Sequence, residues 1–87
     1  MATFAASLVT PEQVLLEEEV EAVMLRTDLG EATFLPGHTP LIGAVVPGLV
    51  RFVREGGSEE RFEIERGLVQ VTPEGVVVLA PEAEPAT

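Results

Sequence analysis

Between Arg61 and Arg66 polar and apolar residues alternate strictly. In an extended chain Phe62 and Ile64 fall on one side, and Arg61, Glu63 and Glu65 on the other. A period of two is that of a strand with one face buried. The β-rich "LVRFVRE" precedes it, and the "EGGSE" between them carries two glycines, so a hairpin is predicted. Further on, "GLVQV" and "GVVVLA" flank "TPEG". Pro73 presets φ and Gly75 relieves the exit, which predicts a type I turn between two strands. The run 76–80 is apolar at every position, the pattern of a strand covered on both faces.

The first half of the chain is ambiguous by these rules. In "TPEQVLLEEEVEAVML", Thr10 can cap a helix, Pro11 can be its first residue, and Gln13 can close a capping box. Glu, Leu, Ala and Met favour helix. An amphipathic helix and two short strands both fit. The end, "PEAEPAT", has no apolar period and reads as a frayed tail over 81–87, after a domain spanning 1–80. No internal repeat is present.

Composition narrows the class. Eighty-seven residues make one domain with a thin core. With 46% hydrophobic and 23% charged residues the chain is globular. The net charge is −10, and all five basic residues are arginines: Arg26, Arg51, Arg54, Arg61 and Arg66. No basic stripe is available to neutralise phosphates, which argues against nucleic acid and anionic membrane surfaces as partners. The absence of cysteine removes disulfides and thiolate metal sites, and fits a cytoplasmic setting. "MATFAASLV" has neither a basic start nor a long apolar stretch, so it predicts no signal peptide, no membrane span and no direct membrane insertion.

Enzyme chemistry finds little to stand on. Without lysine there is no phosphate loop of the Walker type, and neither Ser7 nor Ser58 lies in a nucleophile elbow. His38, the one histidine, lacks a positioned nucleophile, so a turn or interface role is favoured over general-base work. Glu17, Glu18 and Glu19 would point to alternating faces of a strand and cannot converge on one cation. A binding or structural module is expected, with no catalytic residue, no metal and no cofactor.

Phe34 to Gly48, "FLPGHTPLIGAVVPG", holds three prolines, three glycines and that histidine. Pro36 and Pro40 each fix φ and lack an N–H, and Gly37 permits a backbone geometry other residues resist. Pro36, Gly37, Pro47 and Gly48 therefore read as structural turns that stiffen a sharply bent ledge. Together with "LVTPE" before it and "ERGLVQVTPEGVVVLA" after it, the stretch resembles the N-terminal domain of the epsilon subunit of F-type ATP synthases, called delta in mitochondria. The likeness runs from Ala6 to about Ala80. It implies an all-β fold, a flattened β-sandwich of two packed sheets with about ten short strands, in which residues 11–25 form strand, turn and strand. It also implies a non-catalytic rotor subunit of the central stalk, in a proton- or sodium-translocating synthase. Such a subunit binds gamma on one side and the c-subunit ring on the other, peripheral to the cytoplasmic face of the plasma membrane. By the resemblance, Thr10, His38, Thr39, Pro40, Leu41, Ile42 and Gly43 face gamma, while Gly30 and Glu31 face the c-ring.

The chain departs from the family pattern in places. Glu17-Glu18 stand where Ser-Gly is common, so glutamate is expected in a turn there. Thr33 and Arg66 replace common glycines. The family's C-terminal helical hairpin is not expected in the fold of these residues. The competing reading is a free-standing acidic β-sandwich that binds some other protein.

Overall fold

The computed structural model describes residues 2–86. Ten strands form in chain order: β1 (Phe4–Val9), β2 (Val14–Val20), β3 (Ala22–Thr27), β4 (Gly30–Phe34), β5 (Leu41–Val45), β6 (Gly48–Val53), β7 (Glu59–Ile64), β8 (Gly67–Thr72), β9 (Gly75–Leu79) and β10 (Ala83–Ala86). No helix occurs among the described residues. The strands are hydrogen-bonded in the order β10-β7-β6-β3-β5-β8-β9-β1-β2, with β4 on the other side of β3. This is the all-β sandwich expected from the resemblance, built as one ribbon curled on itself.

The fold of the ribbon lies at β3. One edge of β3 is taken by β4, in register from Val23↔Phe34 to Thr27↔Gly30. The other edge is shared. Its start pairs with β6, Ala22↔Val53 to Met24↔Arg51, and its end passes to β5 through Thr27↔Val45. Two bonds flank that junction, Val46 N–H to Arg26 O at 3.0 Å and Asp28 N–H to Ala44 O at 3.2 Å. One half of the sandwich is thus β4-β3-β6-β7-β10 and the other β5-β8-β9-β1-β2.

The core lies between the halves. Val23, Leu25, Phe34, Val50, Phe52, Phe62 and Ile64 come from the first half; Phe4, Ala6, Leu8, Val45, Val69, Val71, Val76 and Val78 come from the second. Phe62 and Ile64 are both buried, as the alternation required. Phe52 and Phe62 meet edge to face, centroids 6.2 Å apart. The side away from the β3 junction is closed by Arg54. Its guanidinium bonds Glu18 of β2 and, at 3.2 Å, Glu60 of β7, linking the two halves. Nearby on the outer face of the first half, Arg51 grips Glu59 with two hydrogen bonds, 3.2 and 2.9 Å. That hydrogen bonding, with the charge of Arg51, holds the Glu59 carboxyl below the usual carboxylate range. A folded value below the unfolded one makes this contribution present at neutral pH and lost as pH falls through the folded value.

Three expectations need correction. No helix forms over 11–25: residues 14–20 and 22–25 are strand, and the break does not fall at Glu17-Glu18. Both glutamates lie within β2, opposite Ser7 and Ala6, with no positive φ at any described non-glycine residue; the break is at Glu21. The helix-favouring residues are overridden by pairing with β1, because Leu16 and Val20 can then enter the core. The frayed tail read over 81–87 instead holds β10, which pairs antiparallel with β7 from Ala83↔Ile64 to Ala86↔Arg61. Backbone bonds to an open edge require no apolar pattern, and an edge strand tolerates Pro85; Thr87 lies outside the described residues. Finally, the run 76–80 is covered on one face only. Val76, Val78 and Ala80 are buried, Val77 is half-buried and Leu79 is exposed.

β8 lies beside β9, and the two backbones approach closely at Gly67. A Cβ on Gly67 would fall 2.3 Å from the Leu79 carbonyl oxygen, whereas one on Gly43 would touch only side chains, the nearer at 3.5 Å. Gly67→Ala is therefore expected to destabilise the domain by about 1–3 kcal/mol. Gly43→Ala should leave stability unchanged or raise it by up to about 1 kcal/mol. The midpoints of urea unfolding for the two variants check this contrast.

Candidate functional site

Residues 35–40 carry the chain from β4 in one half to β5 in the other. Leu35, Pro36, Gly37 and His38 form a tight turn. Gly37 has φ +82°, the value a type II turn needs at its third position, with proline at the second. The His38 ring folds back over this turn. Its Nδ1 lies 2.8 Å from the Leu35 carbonyl oxygen and its Nε2 lies 2.9 Å from the carbonyl oxygen of Thr72 at the end of β8. Phe4 of β1 meets the ring at a steep angle, centroids 5.0 Å apart. The histidine is thus held by backbone and by an aromatic edge, the turn role favoured over general-base work.

Beyond His38, Thr39 and Pro40 are exposed and lead into β5. Leu41 is 41% exposed and Ile42 71% exposed, and as neighbours in a strand they point to opposite faces. Gly43 is half-buried beneath them. Ile42 and Ala44 look outward from the second half. The register places Ala44 beside Leu68, Leu68 beside Leu79, Leu79 beside Val9 and Val9 beside Val14. These positions form one apolar row across five strands, with Leu68, Leu79 and Val14 exposed. Ile42 heads the next row, which runs through Gln70, Val77 and Ser7 to Glu17.

Thr10 sits at the end of this surface but turns inward. It is only 9% exposed. Its N–H donates to the Gln13 carbonyl at 2.9 Å and its hydroxyl to the same oxygen at 3.2 Å, so it ties the turn between β1 and β2. Pro47 and Gly48 form the corner from β5 into β6.

Gly30 and Glu31 lie elsewhere, in the hairpin of β3 and β4. Thr27 braces its tip, donating from its hydroxyl to Gly30 O at 2.9 Å and accepting from Leu29 N–H at 3.1 Å. Glu31 is exposed and lies 3.6 Å from Arg26. Leu29 is 95% exposed at the very tip. Sequence reasoning passed over Leu29, Leu68, Leu79 and Val14. An apolar residue inside the two-residue turn "DL" was a readable signal for Leu29; for the others, periodicity alone does not say which apolar face lacks a cover.

The acidic run resolves as an alternating strand. Glu18 turns to Arg54, while Glu19 accepts a hydrogen bond from the Thr3 hydroxyl at 2.9 Å. Among the described residues no helix is long and apolar enough to cross a membrane.

Comparisons with known proteins agree with this geometry. Residues 3–86 match the family model for the β-sandwich domain of the ATP synthase delta/epsilon chain. An ATP synthase epsilon chain from Desulforudis audaxviator (strain MP104C) is 46% identical over 83 residues, covering 95% of this chain and 60% of the relative. Another, from Chelativorans sp. (strain BNC1), is 40% identical over 81 residues, covering 93% and 60%. The chain thus spans about 60% of the length of these relatives. Among solved structures, a chain of the Euglena gracilis mitochondrial ATP synthase (OSCP/F1/c-ring, rotational state 1) superposes with TM-score 0.90 at 30% identity. That match covers 98% of this chain and 54% of the other. A chain of the Tetrahymena thermophila central stalk and c-ring shares the fold, with TM-score 0.76 at 15% identity, over 94% of this chain and 66% of that one.

The Gly37 conformation yields a direct test. A side chain there meets open space but must adopt left-handed φ. Gly37→Ala is expected to cost about 1–2 kcal/mol in chemical unfolding, without loss of the β-sheet circular dichroism signal.

Proposed function

The chain belongs to the family of ATP synthase delta/epsilon-chain β-sandwich domains, and from that membership we propose that it serves as a non-catalytic part of the rotor in an F-type ATP synthase. In this reading it binds gamma through one side of the sandwich and the c-subunit ring through one end. It turns with both and passes torque between ion flow and ATP synthesis. It lies peripheral to the membrane, at the cytoplasmic face.

One observation carries the gamma contact. β9 is apolar on both faces, yet only its inner face is covered by the chain itself. The uncovered face continues through Leu68 into β5 and Ile42. A contiguous exposed apolar surface on a small domain suits a partner interface. The ledge Thr39, Pro40, Leu41, Ile42 and Gly43 stands at its border, stiffened by two prolines, so ordering it on binding costs little further entropy. Thr10 supports the rim from within. The β3–β4 tip, with Gly30, Glu31 and Leu29, protrudes separately and supplies a mixed acidic and apolar contact for the polar loops of the c-ring. Separate patches suit a subunit clamped between two partners.

Ile42→Asp would bury an unpaired charge under gamma. It is expected to weaken gamma binding by about 2–4 kcal/mol with the unfolding midpoint little changed, since Ile42 makes no core contact to lose. Titration calorimetry with purified gamma reads the first and urea unfolding the second. Undiminished binding would remove β5 from the interface. Leu29→Asp should leave gamma affinity intact while loosening retention of the gamma–epsilon stalk on c-rings. A pull-down with purified c-ring measures that separation of roles.

A further inference from the structure

The His38 ring faces a carbonyl oxygen at each nitrogen, at 2.8 Å from Leu35 and 2.9 Å from Thr72. A carbonyl oxygen only accepts. A neutral imidazole carries one N–H, so it can satisfy one of the two and must turn a lone pair toward the other. The imidazolium carries an N–H on both nitrogens and satisfies both. We propose that His38 is a protonation-dependent brace. As the cation it ties the 35–40 loop both to its own turn and to the end of β8; as the neutral ring it surrenders one of those ties.

The surroundings leave the task to the ring itself. It is packed against β1 through Phe4, against its own loop, and against the β8–β9 turn through Thr72. β1 has no ionisable side chain, and the 35–40 loop has none besides His38. The β8–β9 turn contributes Glu74, which is exposed. Among the described residues no carboxylate is recorded in an ion pair with His38. No carboxylate therefore substitutes for the carbonyls as the cation's partner. The two bonds also differ in reach: the Leu35 contact is local, whereas the Thr72 contact spans 34 positions and joins the loop to the second half. Loss of the long-range tie would free the segment from which the Thr39–Gly43 ledge hangs.

The brace would therefore make ledge rigidity follow proton concentration. Its effect on gamma binding rests on the function proposed above; the brace itself does not, and its test uses this chain alone.

Nitrogen-15 spectra of labelled protein, recorded over a pH series that takes the ring from cation to neutral, provide that test. At the acid end both ring nitrogens should carry protons shielded from water. As the ring deprotonates, amide shifts at Gly37, Thr39 and Leu41 should move with the same midpoint. Hydrogen exchange at these amides, corrected for intrinsic base catalysis, should quicken several-fold. In His38→Phe, which keeps an aromatic ring beside Phe4, the titration of these amides should vanish. His38→Gln, with one donor group that does not titrate, should flatten it as well and serves if the phenylalanine variant unfolds. Loop shifts and corrected exchange rates that stay constant in the wild type overturn the brace, as does a loop titration that persists in a folded variant. Gamma affinity measured over the same pH range separates the two readings. Affinity that falls as the loop loosens supports both, whereas a titrating loop with unaltered affinity overturns only the gamma role of the ledge.

Discussion

A single paired position, Thr27 with Val45, carries the sheet from one half of the sandwich to the other. The backbone of β3 has one edge to give after β4 has taken the first, and β6 and β5 must share it. Every N–H and C=O along that edge still needs a partner, so β5 can begin only where β6 leaves off. This division folds the ribbon and brings the two apolar faces together. It also fixes the crossing from β4 to β5, which must span the open end of the sandwich. The stiff 35–40 loop is that crossing. Arg54 performs the matching task on the far side, where no strand pairing joins the halves.

The two outer faces that result differ in character. On the first half, Arg26, Arg51 and Arg61 meet Glu31 and Glu59, leaving a surface of mutually neutralised charge. On the second, leucine, isoleucine and valine face outward with no cover from the chain. In an acidic protein, such an apolar face offers a partner a surface on which charge, Glu17 and Glu19, is confined to the β2 margin. The function proposed for the chain follows from this asymmetry more than from any one side chain.

Much of this was legible in the residues. The alternation at 61–66 marked β7, and glycines and prolines marked the turns on either side of β8 and β9. The cassette of Pro36, Gly37 and His38 indicated a bent, rigid segment. What local rules missed has physical causes. Glu, Leu and Met in β2 favour helix in isolation, and only pairing with β1 makes the strand worthwhile. β10 has almost no side-chain signal because its attachment to β7 is backbone to backbone. The run 76–80 could be read as doubly apolar, but whether both faces are covered depends on molecules outside the chain. Among candidate site residues, Ile42 is exposed, while Thr10 is occupied with its own turn.

The ends of the ribbon have a bearing on how such chains meet one another. An open strand edge is a template for further strands, and stacking through edges leads to fibres. Here one terminal strand, β2, carries Glu17, Glu18 and Glu19 in succession, and the other, β10, places Pro85 where a donor would stand. A second copy approaching β2 would bring three carboxylates against three. A copy approaching β10 would find an interrupted ladder. Addition of strands at β2 and at β10 is thereby discouraged, and the apolar outer face can stay exposed without either of these edges seeding a ladder.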